Sequence, residues 1–408
     1  MNRFFSLLSV VLLYCSTISA QLIKIDYNNP LWSFDYMREA WKNNMDFLEA
    51  EHRIQIDSTH VNQKFRDYYG QALMTVQTFN GRILEKDRTG LLFRNPIQKL
   101  KQSEELGETI TPSDAKDFIL KNFLYEKIIM FNEAHLYPQH RAFINSLLKD
   151  LYGNGYRHLF MEALSAEYEE VAYPEREMGI YTNEPNMANL VRNAVQTGFK
   201  LHAYDGYEYK NRDSVSAENI LKVIQNNPQD KFIIICGFAH NNEKLSRSLA
   251  SYLNQIAQIN PLTIDLTVYS EPESSSYYKE LLDYYHIEVP SVLTGPDNKQ
   301  VDMKNSSGRD LYVVFPHTKY VHGYPQWMIS PKENKFDSLK SSDYDVARVY
   351  IKEELTHIKS PVPYSFKYRN SDNMILVPLK DYIINFYRIK DGKLDLVESY
   401  DSSNTSPD

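Results

Sequence analysis

The sequence predicts an α/β protein: a mainly parallel sheet with helices on both faces, a helical N-terminal region before it and a β-rich C-terminal extension after it. Three observations predict this. Between Tyr125 and Tyr269, short apolar runs alternate with amphipathic segments of roughly ten to fifteen residues, the pattern of strands buried on both faces and joined by crossover helices. Before that stretch, apolar residues recur at helical spacing, and after it come apolar runs punctuated by turn signals. The length of 408 residues accommodates two to three domains at roughly 150 residues each.

Residues 1–20 read as a secretory signal peptide. Arg3 precedes an apolar run from Phe4 to Tyr14, and a small polar stretch ends at Ser19 and Ala20. The run is well short of the ~20 apolar residues that span a bilayer, so cleavage before Gln21 leaves no transmembrane segment. Bulky Tyr14 argues against lipid anchoring at Cys15. The expected location is therefore secreted or periplasmic. In residues 21–120, Met37, Trp41, Met45 and Leu48 share one helical face, and Asn80-Gly81 marks a turn.

Residues 121–285 form the expected α/β domain. Lys127 to Phe131 is a buried strand, and Pro138 opens a helix carrying Phe143, Ile144, Leu147, Leu148 and Leu151 inward to a stop at Gly153. The next strand runs from His158 to Met161. Asn183, Glu184 and Pro185 cap a helix to Thr197, ended by Gly198. A strand from Lys200 to Tyr204, a helix from Asp213 to Asn227 and a strand from Phe232 to Cys236 follow. A helix from about Asn241 to Ile256 and a strand from Leu262 to Val268 complete the series. Residues 286–402 read as β-rich, with a strand from Leu311 to Phe315 and a hairpin around Asp391-Gly392, and 403–408 as an unstructured tail.

With 45 Lys and Arg against 53 Asp and Glu, the formal charge of −8 excludes a general nucleic-acid binder, which needs a basic face. Cys236 is the one cysteine left after cleavage, so there is no internal disulfide, and its apolar surroundings mark a buried, inert thiol. There is no Gly-x-Ser-x-Gly elbow, no phosphate loop and no Gly-x-Gly-x-x-Gly turn.

Ligands of open parallel sheets gather at the carboxyl ends of the strands. The first strand runs into Asn132, Glu133, Ala134 and His135; the second ends at Glu162, the third at Asp205, and the fourth at Gly237 to His240. One polar residue after a strand is an ordinary loop residue or helix cap. A carboxylate or histidine at four strand ends is the signature of a shared site. Two chemistries suit it: a histidine held by a carboxylate can deprotonate water, or two histidines with carboxylates can hold a divalent metal ion that acidifies it. Both lead to hydrolysis of a small-molecule or peptide substrate. His140 and Arg141, one turn into the first helix, are either substrate contacts or a solvent-facing pair, and Asp205 is a cap or a salt-bridge partner of Arg212.

Asn132-Glu-Ala-His135, Phe-Met-Glu162, Arg212-Asp213 before a helix, and Gly237-Phe-Ala-His240 together resemble the superfamily linking erythromycin-esterase-like hydrolases, ChaN-like haem-binding proteins and the Tiki/TraB proteins. The resemblance covers about 128–269. Asn132 stands where that pattern has glycine, and the Glu-to-His spacing is similar to the ChaN and Tiki form. In the esterase-like branch the resemblance implies that Glu133 orients His135 as base, Glu162 and His240 complete the pocket, and Arg212 places substrate or counters oxyanion charge. Arg212, Asp205, His140 and Arg141 are then the substrate-binding candidates. The Tiki branch implies metal ligation by His135, Glu162 and His240. The ChaN-like branch implies haem binding without catalysis. A decayed site on a scaffolding protein is a further reading, with Asn132 its first sign.

Overall fold

The computed structural model describes residues 25–43, 45–82, 109–206, 211–271, 276–297, 299–301 and 308–404. The expected signal peptide and the last four residues of the tail lie outside them. No helix among the described residues is long and apolar enough to cross a membrane.

Three helices open the described chain: α1 (Trp32–Lys42), α2 (Phe47–Ile56) and α3 (Arg66–Phe79). Trp32, Met37, Phe47, Ile54, Leu73 and Phe79 pack into one cluster between them. Asp46 caps α2 by accepting from the Leu48 amide at 2.9 Å. Asn80 closes α3, and Gly81 takes the left-handed backbone (φ +69°) that the turn there needs.

The central sheet carries the expected alternation. In chain order its elements are β1 (Thr111–Asp114), α4 (Ala115–Asn122), β2 (Ile128–Glu133), α5 (Pro138–Gly153), β3 (Tyr156–Met161) and α6 (Pro185–Thr197). Then come β4 (Lys200–Ala203), α7 (Arg212–Asn226), β5 (Lys231–Gly237), α8 (Leu249–Ala257), β6 (Leu262–Tyr269), α9 (Ser276–Tyr285), β7 (Ser291–Thr294) and β8 (Leu311–Val314). The strand order is β1-β7-β8-β6-β2-β5-β3-β4. Strands β8, β6, β2, β5, β3 and β4 are parallel; β1 and β7 pair antiparallel.

The period-two alternation of the strands sorts their side chains onto two faces. Ile129, Phe131, Leu159, Met161, Ile233 and Ile235 meet α4, α5 and α6 through Phe118, Leu147 and Leu190. Ile128, Met130, Phe160, Phe232, Ile234 and Cys236 meet α7 and α8 through Ala217, Ile220 and Leu253. Cys236 is buried there, and burial pushes its thiol up, as befits an inert packing residue.

Three expectations need correction. Helix α8 begins at Leu249 and not near Asn241, because the Asn241 carboxamide is consumed by the Ile264 carbonyl (3.0 Å) and Arg309 (3.0 Å), and Ser248 supplies the N-cap to Ser251 (3.2 Å). Strand β1 and helix α4, within the region read as N-terminal, belong to the α/β domain. So do β7 and β8, within the expected extension: their apolar runs complete the sheet edge.

The remaining chain forms β9 (Tyr320–Val321), β10 (Tyr324–Pro325), β11 (Asn334–Ser338), β12 (Val346–Ile351), α10 (Lys352–His357), β13 (Ser365–Tyr368), β14 (Met374–Pro378), β15 (Tyr382–Lys390) and β16 (Lys393–Asp401). Strands β13-β12-β15-β16 make an antiparallel sheet. The β15–β16 hairpin turns at Asp391 (φ +51°) and Gly392 (φ +74°), as the Asp-Gly pair predicts. Arg348 of β12 reaches Asp46 with two bonds of 2.7 and 2.8 Å, fastening this sheet to the N-terminal helices.

Candidate functional site

The carboxyl ends of β2, β5, β3 and β4 lie side by side, and their polar residues form two hydrogen-bonded groups that meet at Gly237. At the end of β2, Glu133 is 2% exposed yet holds a full set of donors. Arg141 Nε donates to Oε2 at 2.5 Å and Arg141 Nη2 to Oε1 at 2.8 Å. His135 Nδ1 lies 3.0 Å from the same Oε1. Burial by itself would raise the Glu133 carboxyl, but the charge of Arg141 and the bonds from His135 and Arg141 outweigh it and hold it at about 2. An ionised carboxylate only accepts, so His135 donates to it through Nδ1–H.

That Nε2 faces Gly237, at the end of β5. A Cβ placed on Gly237 would sit 2.6 Å from both Cε1 and Nε2 of His135 and 3.0 Å from Oε2 of Glu162. The missing side chain is what lets His135 and Glu162 approach the same point. The ring of His135 is held flat against Tyr181 (centroids 4.0 Å, 15°) and edge-on by Phe238 (5.2 Å).

Glu162 follows β3 directly. It accepts from Arg212 Nη2 at 2.6 Å and, by a very short bond, from the Gly237 amide. Burial would raise its carboxyl; His135, Arg212 and His240 together bring it below the usual range. Asp205, past β4, takes Arg212 Nη2 at 2.7 Å and Nε at 3.2 Å. Burial and the neighbouring Glu162 nevertheless raise Asp205. Arg212 opens α7, and its Nη1 is 3.4 Å from His240 Nε2. The other ring nitrogen of His240, Nδ1, is 2.7 Å from Asp213. Burial would lower His240, but Asp213 and Glu162 leave it raised. One run of contacts joins Asp213, His240, Arg212 and Glu162, a second joins His135, Glu133 and Arg141, and the two face each other across Gly237.

Two residues beside the site hold left-handed backbone without being glycine: Ala163 (φ +59°), after Glu162, and Phe238 (φ +41°), after Gly237. Each is tied down. Asp205 accepts from the Ala163 amide at 2.6 Å, and the Asn132 carboxamide donates to the Phe238 carbonyl at 2.7 Å. Asn132 does not have the left-handed backbone that would call for glycine. Its side chain also accepts from the Leu266 amide (2.7 Å) and donates to Asp265 (3.0 Å), stitching β2 to β6. Asn132 therefore braces the site.

Glu133, His135, Glu162, Asp205, Arg212 and His240 come together as the strand ends predict. His140 and Arg141 are neither substrate contacts nor solvent-facing. Both are fully buried behind the site, because Pro138 starts α5 with its first turn folded back onto β2. Arg141 serves Glu133 and also Glu184 (3.2 Å), while His140 Nδ1 accepts from the Ala134 amide at 3.1 Å. Asp213, Tyr181 and Glu184 are additional site residues. Asp213 sits inside the Arg-Asp pair of the sequence pattern and Glu184 was visible only as a helix cap; nothing in the sequence marks Tyr181.

The fit of the two implied groups follows from these contacts. Among the described residues no cluster of three or more His, Cys, Asp or Glu is arranged to hold a metal ion. The guanidinium of Arg212 lies between Glu162 and His240, where a cation bound by His135, Glu162 and His240 would have to sit. Haem fits no better: His135 Nε2 points at Gly237, and Tyr181 and Phe238 cover the ring.

What the fold and the site define is an α/β protein with two carboxylate–histidine pairs set about one arginine. No family model and no curated protein matches the chain. Among solved structures, the type III effector HopBA1 aligns at 8% identity and a TM-score of 0.34, over 52% of this chain and 99% of that one. RRSP, a MARTX toxin effector domain from Vibrio vulnificus CMCP6, aligns at 15% and 0.30, over 52% of this chain and 46% of that one. A structure described as bacterial protein toxins gives 16% and 0.30, over 52% and 47%. Likenesses of this degree bear on neither activity nor substrate.

Proposed function

We propose that this chain is an exported hydrolase that cleaves an ester or peptide bond with a water activated by Glu133 and His135. The single observation that carries the reading is the geometry at His135: Nδ1 lies 3.0 Å from Oε1 of the buried Glu133, and Nε2 faces Glu162 across Gly237. In the proposed reaction Nε2 takes a proton from water, and the hydroxide attacks the carbonyl carbon. Glu133 and Glu162 stabilise the imidazolium that results. Arg212, anchored by Glu162 and Asp205, offers its charge to the oxyanion. The raised His240, paired with Asp213, supplies the proton that leaves with the alcohol or amine. No haem or metal is needed for any of these steps.

The test is a screen of ester and peptide substrates with the native protein and with His135→Ala and His240→Ala. Loss of turnover in both, with the fold retained by circular dichroism, is the expected result. A hydrolytic activity of the native protein that both variants keep unchanged would overturn the assignment.

A further inference from the structure

The N-terminal helices and the C-terminal sheet carry none of the strand-end residues, yet both close on the segment that holds Tyr181. This segment, 163–184, runs from the end of β3 to the start of α6. Its near end is pressed onto the site. Leu164 and Gly179 pair antiparallel, and the Ser165 amide donates to the Met178 carbonyl at 2.9 Å. A Cβ on Gly179 would sit 2.6 Å from the carbonyl oxygen of Ala163, the residue after Glu162. The Thr182 hydroxyl and the Asn183 carboxamide donate back to the Gly179 carbonyl at 2.6 and 2.9 Å, which fixes the turn that lays Tyr181 on His135.

The far end is held at Arg176. Its amide donates to the Ser360 carbonyl of the C-terminal region at 3.0 Å. Its carbonyl accepts from Trp41 Nε1 of α1 at 3.0 Å and from Asn183 at 3.0 Å. Its Nη2 donates to the Met45 carbonyl at 2.6 Å, and the guanidinium lies 4.8 Å from the centre of the Phe47 ring. Apolar contacts follow the same path. Ile180 and Tyr181 pack against the cluster formed by α1, α2 and α3, and Tyr181 packs against the cluster of the central sheet as well.

Two constraints therefore act on His135. Glu133 meets Nδ1 at 3.0 Å and fixes one atom of the ring. Tyr181, at 15° to the imidazole, fixes its plane. The second matters because the outer torsion of a histidine is soft, and one hydrogen bond leaves the ring able to swing. We propose that Trp41 and Arg176 are positioning residues: through the segment that ends at Tyr181, the N-terminal helices hold the His135 ring flat and its Nε2 toward Gly237. This rests on the reading of His135 as the group that activates water. A misplacement of reacting atoms by about 1 Å costs on the order of 100-fold in rate, so ties remote from the substrate have leverage on turnover.

The test uses the full chain with carbon-labelled histidine. The His135 ring signals, assigned by comparison with His135→Gln, are expected upfield because the imidazole lies over the face of Tyr181. Trp41→Phe with Arg176→Met removes both side-chain donors, keeps a ring on α1 and an unbranched stem against Phe47, and leaves Asp46 its two bonds from Arg348. In this double variant the upfield shift should shrink toward that of Tyr181→Ala, and kcat should fall at least about tenfold with KM changed less than about twofold. Trp41→Phe with Arg176→Lys, whose ammonium can still donate to the Met45 carbonyl, should recover most of the shift. Should the first double variant fail to fold, Trp41→Phe alone decides, with a smaller loss of shift in the same direction. Unmoved ring signals in the folded variant, or a KM change as large as the change in kcat, overturn the proposal. If the native protein turns over no ester or peptide, the reading of the site falls, and the ring signals still decide whether the helices hold His135.

Discussion

Glu133→Gln is the perturbation that probes the site most directly, because it changes one charge and almost no volume. In the native chain Oε1 accepts from Arg141 Nη2 and His135 Nδ1, and Oε2 accepts from Arg141 Nε. A carboxamide has one acceptor oxygen. With that oxygen at Oε1, its NH2 faces Arg141 Nε, donor against donor; with it at Oε2, the NH2 faces both His135 and Arg141. Either way a buried guanidinium loses a partner. The drop of the Glu133 carboxyl from 4.5 to about 2, at about 1.36 kcal/mol per pH unit, amounts to roughly 3 kcal/mol in favour of the folded, ionised form. A carboxylate with a depressed folded value contributes that stability above about 4.5 and loses it as pH falls through about 2. The native protein should therefore exceed Glu133→Gln by about 3 kcal/mol at pH 7, read by hydrogen exchange at the β2 and β5 amides, and the gap should close toward pH 2. Turnover should fall by about 10³ to 10⁴, the scale seen when a buried orienting carboxylate becomes an amide. Imidazole nitrogen shifts should report the Nδ1–H tautomer of His135 in the native chain only. A pH-independent gap below about 0.5 kcal/mol, or an Nε2–H tautomer in the native protein, would refute the reasoning.

Three more outcomes follow from named contacts. Gly237→Ala places a Cβ 2.6 Å from the His135 ring and strains no left-handed backbone, so turnover should drop at least about 100-fold with the circular dichroism spectrum intact; an active variant would mean that His135 and Glu162 do not act across that gap. His140 is held at about 4 by burial, so the stability it contributes is complete above its unfolded value near 6.5 and is lost as pH falls to about 4, roughly 3 kcal/mol in all; the melting temperature of His140→Gln should fall less between pH 7 and 4 than that of the native chain, and parallel acid slopes would contradict this. Arg192 donates to Glu354 at 2.6 and 2.7 Å, joining α6 to α10; Arg192→Met, which leaves Glu354 buried and alone, should cost about 3 kcal/mol in chemical denaturation, and Arg192→Met with Glu354→Met should regain most of it. Equal losses in the single and double variants would show that the pair is not coupled.

Much of the site can be read along the chain because a parallel sheet converts sequence order into proximity. Glu133, Glu162, Asp205 and His240 each follow an apolar run, and runs that become neighbouring strands must bring their ends together. The roles of His140 and Arg141 cannot be read this way. In the sequence they are two polar residues on an amphipathic helix; burial appears only once the first turn of α5 folds onto β2, where Glu133 offers Arg141 a charge and the Ala134 amide offers His140 a bond. Asn132 is misleading for a similar reason. It stands in place of a glycine, but its carboxamide finds partners on β6 and at Phe238, more than a hundred positions along the chain.

By itself the sequence determined the fold class, the alternation of strands and helices, the inert setting of Cys236 and the set of strand-end residues, since all of these follow from local periodicity and from the burial of apolar runs. Tertiary structure alone decided which histidine nitrogen meets which carboxylate, which arginine answers which carboxylate, that Tyr181 covers His135, and that β1, β7 and β8 belong to the central sheet. The reason is one of range. Periodicity is written into neighbouring residues, whereas the protonation of a side chain and its partner depend on the atoms that long-range packing brings within about 3 Å of it.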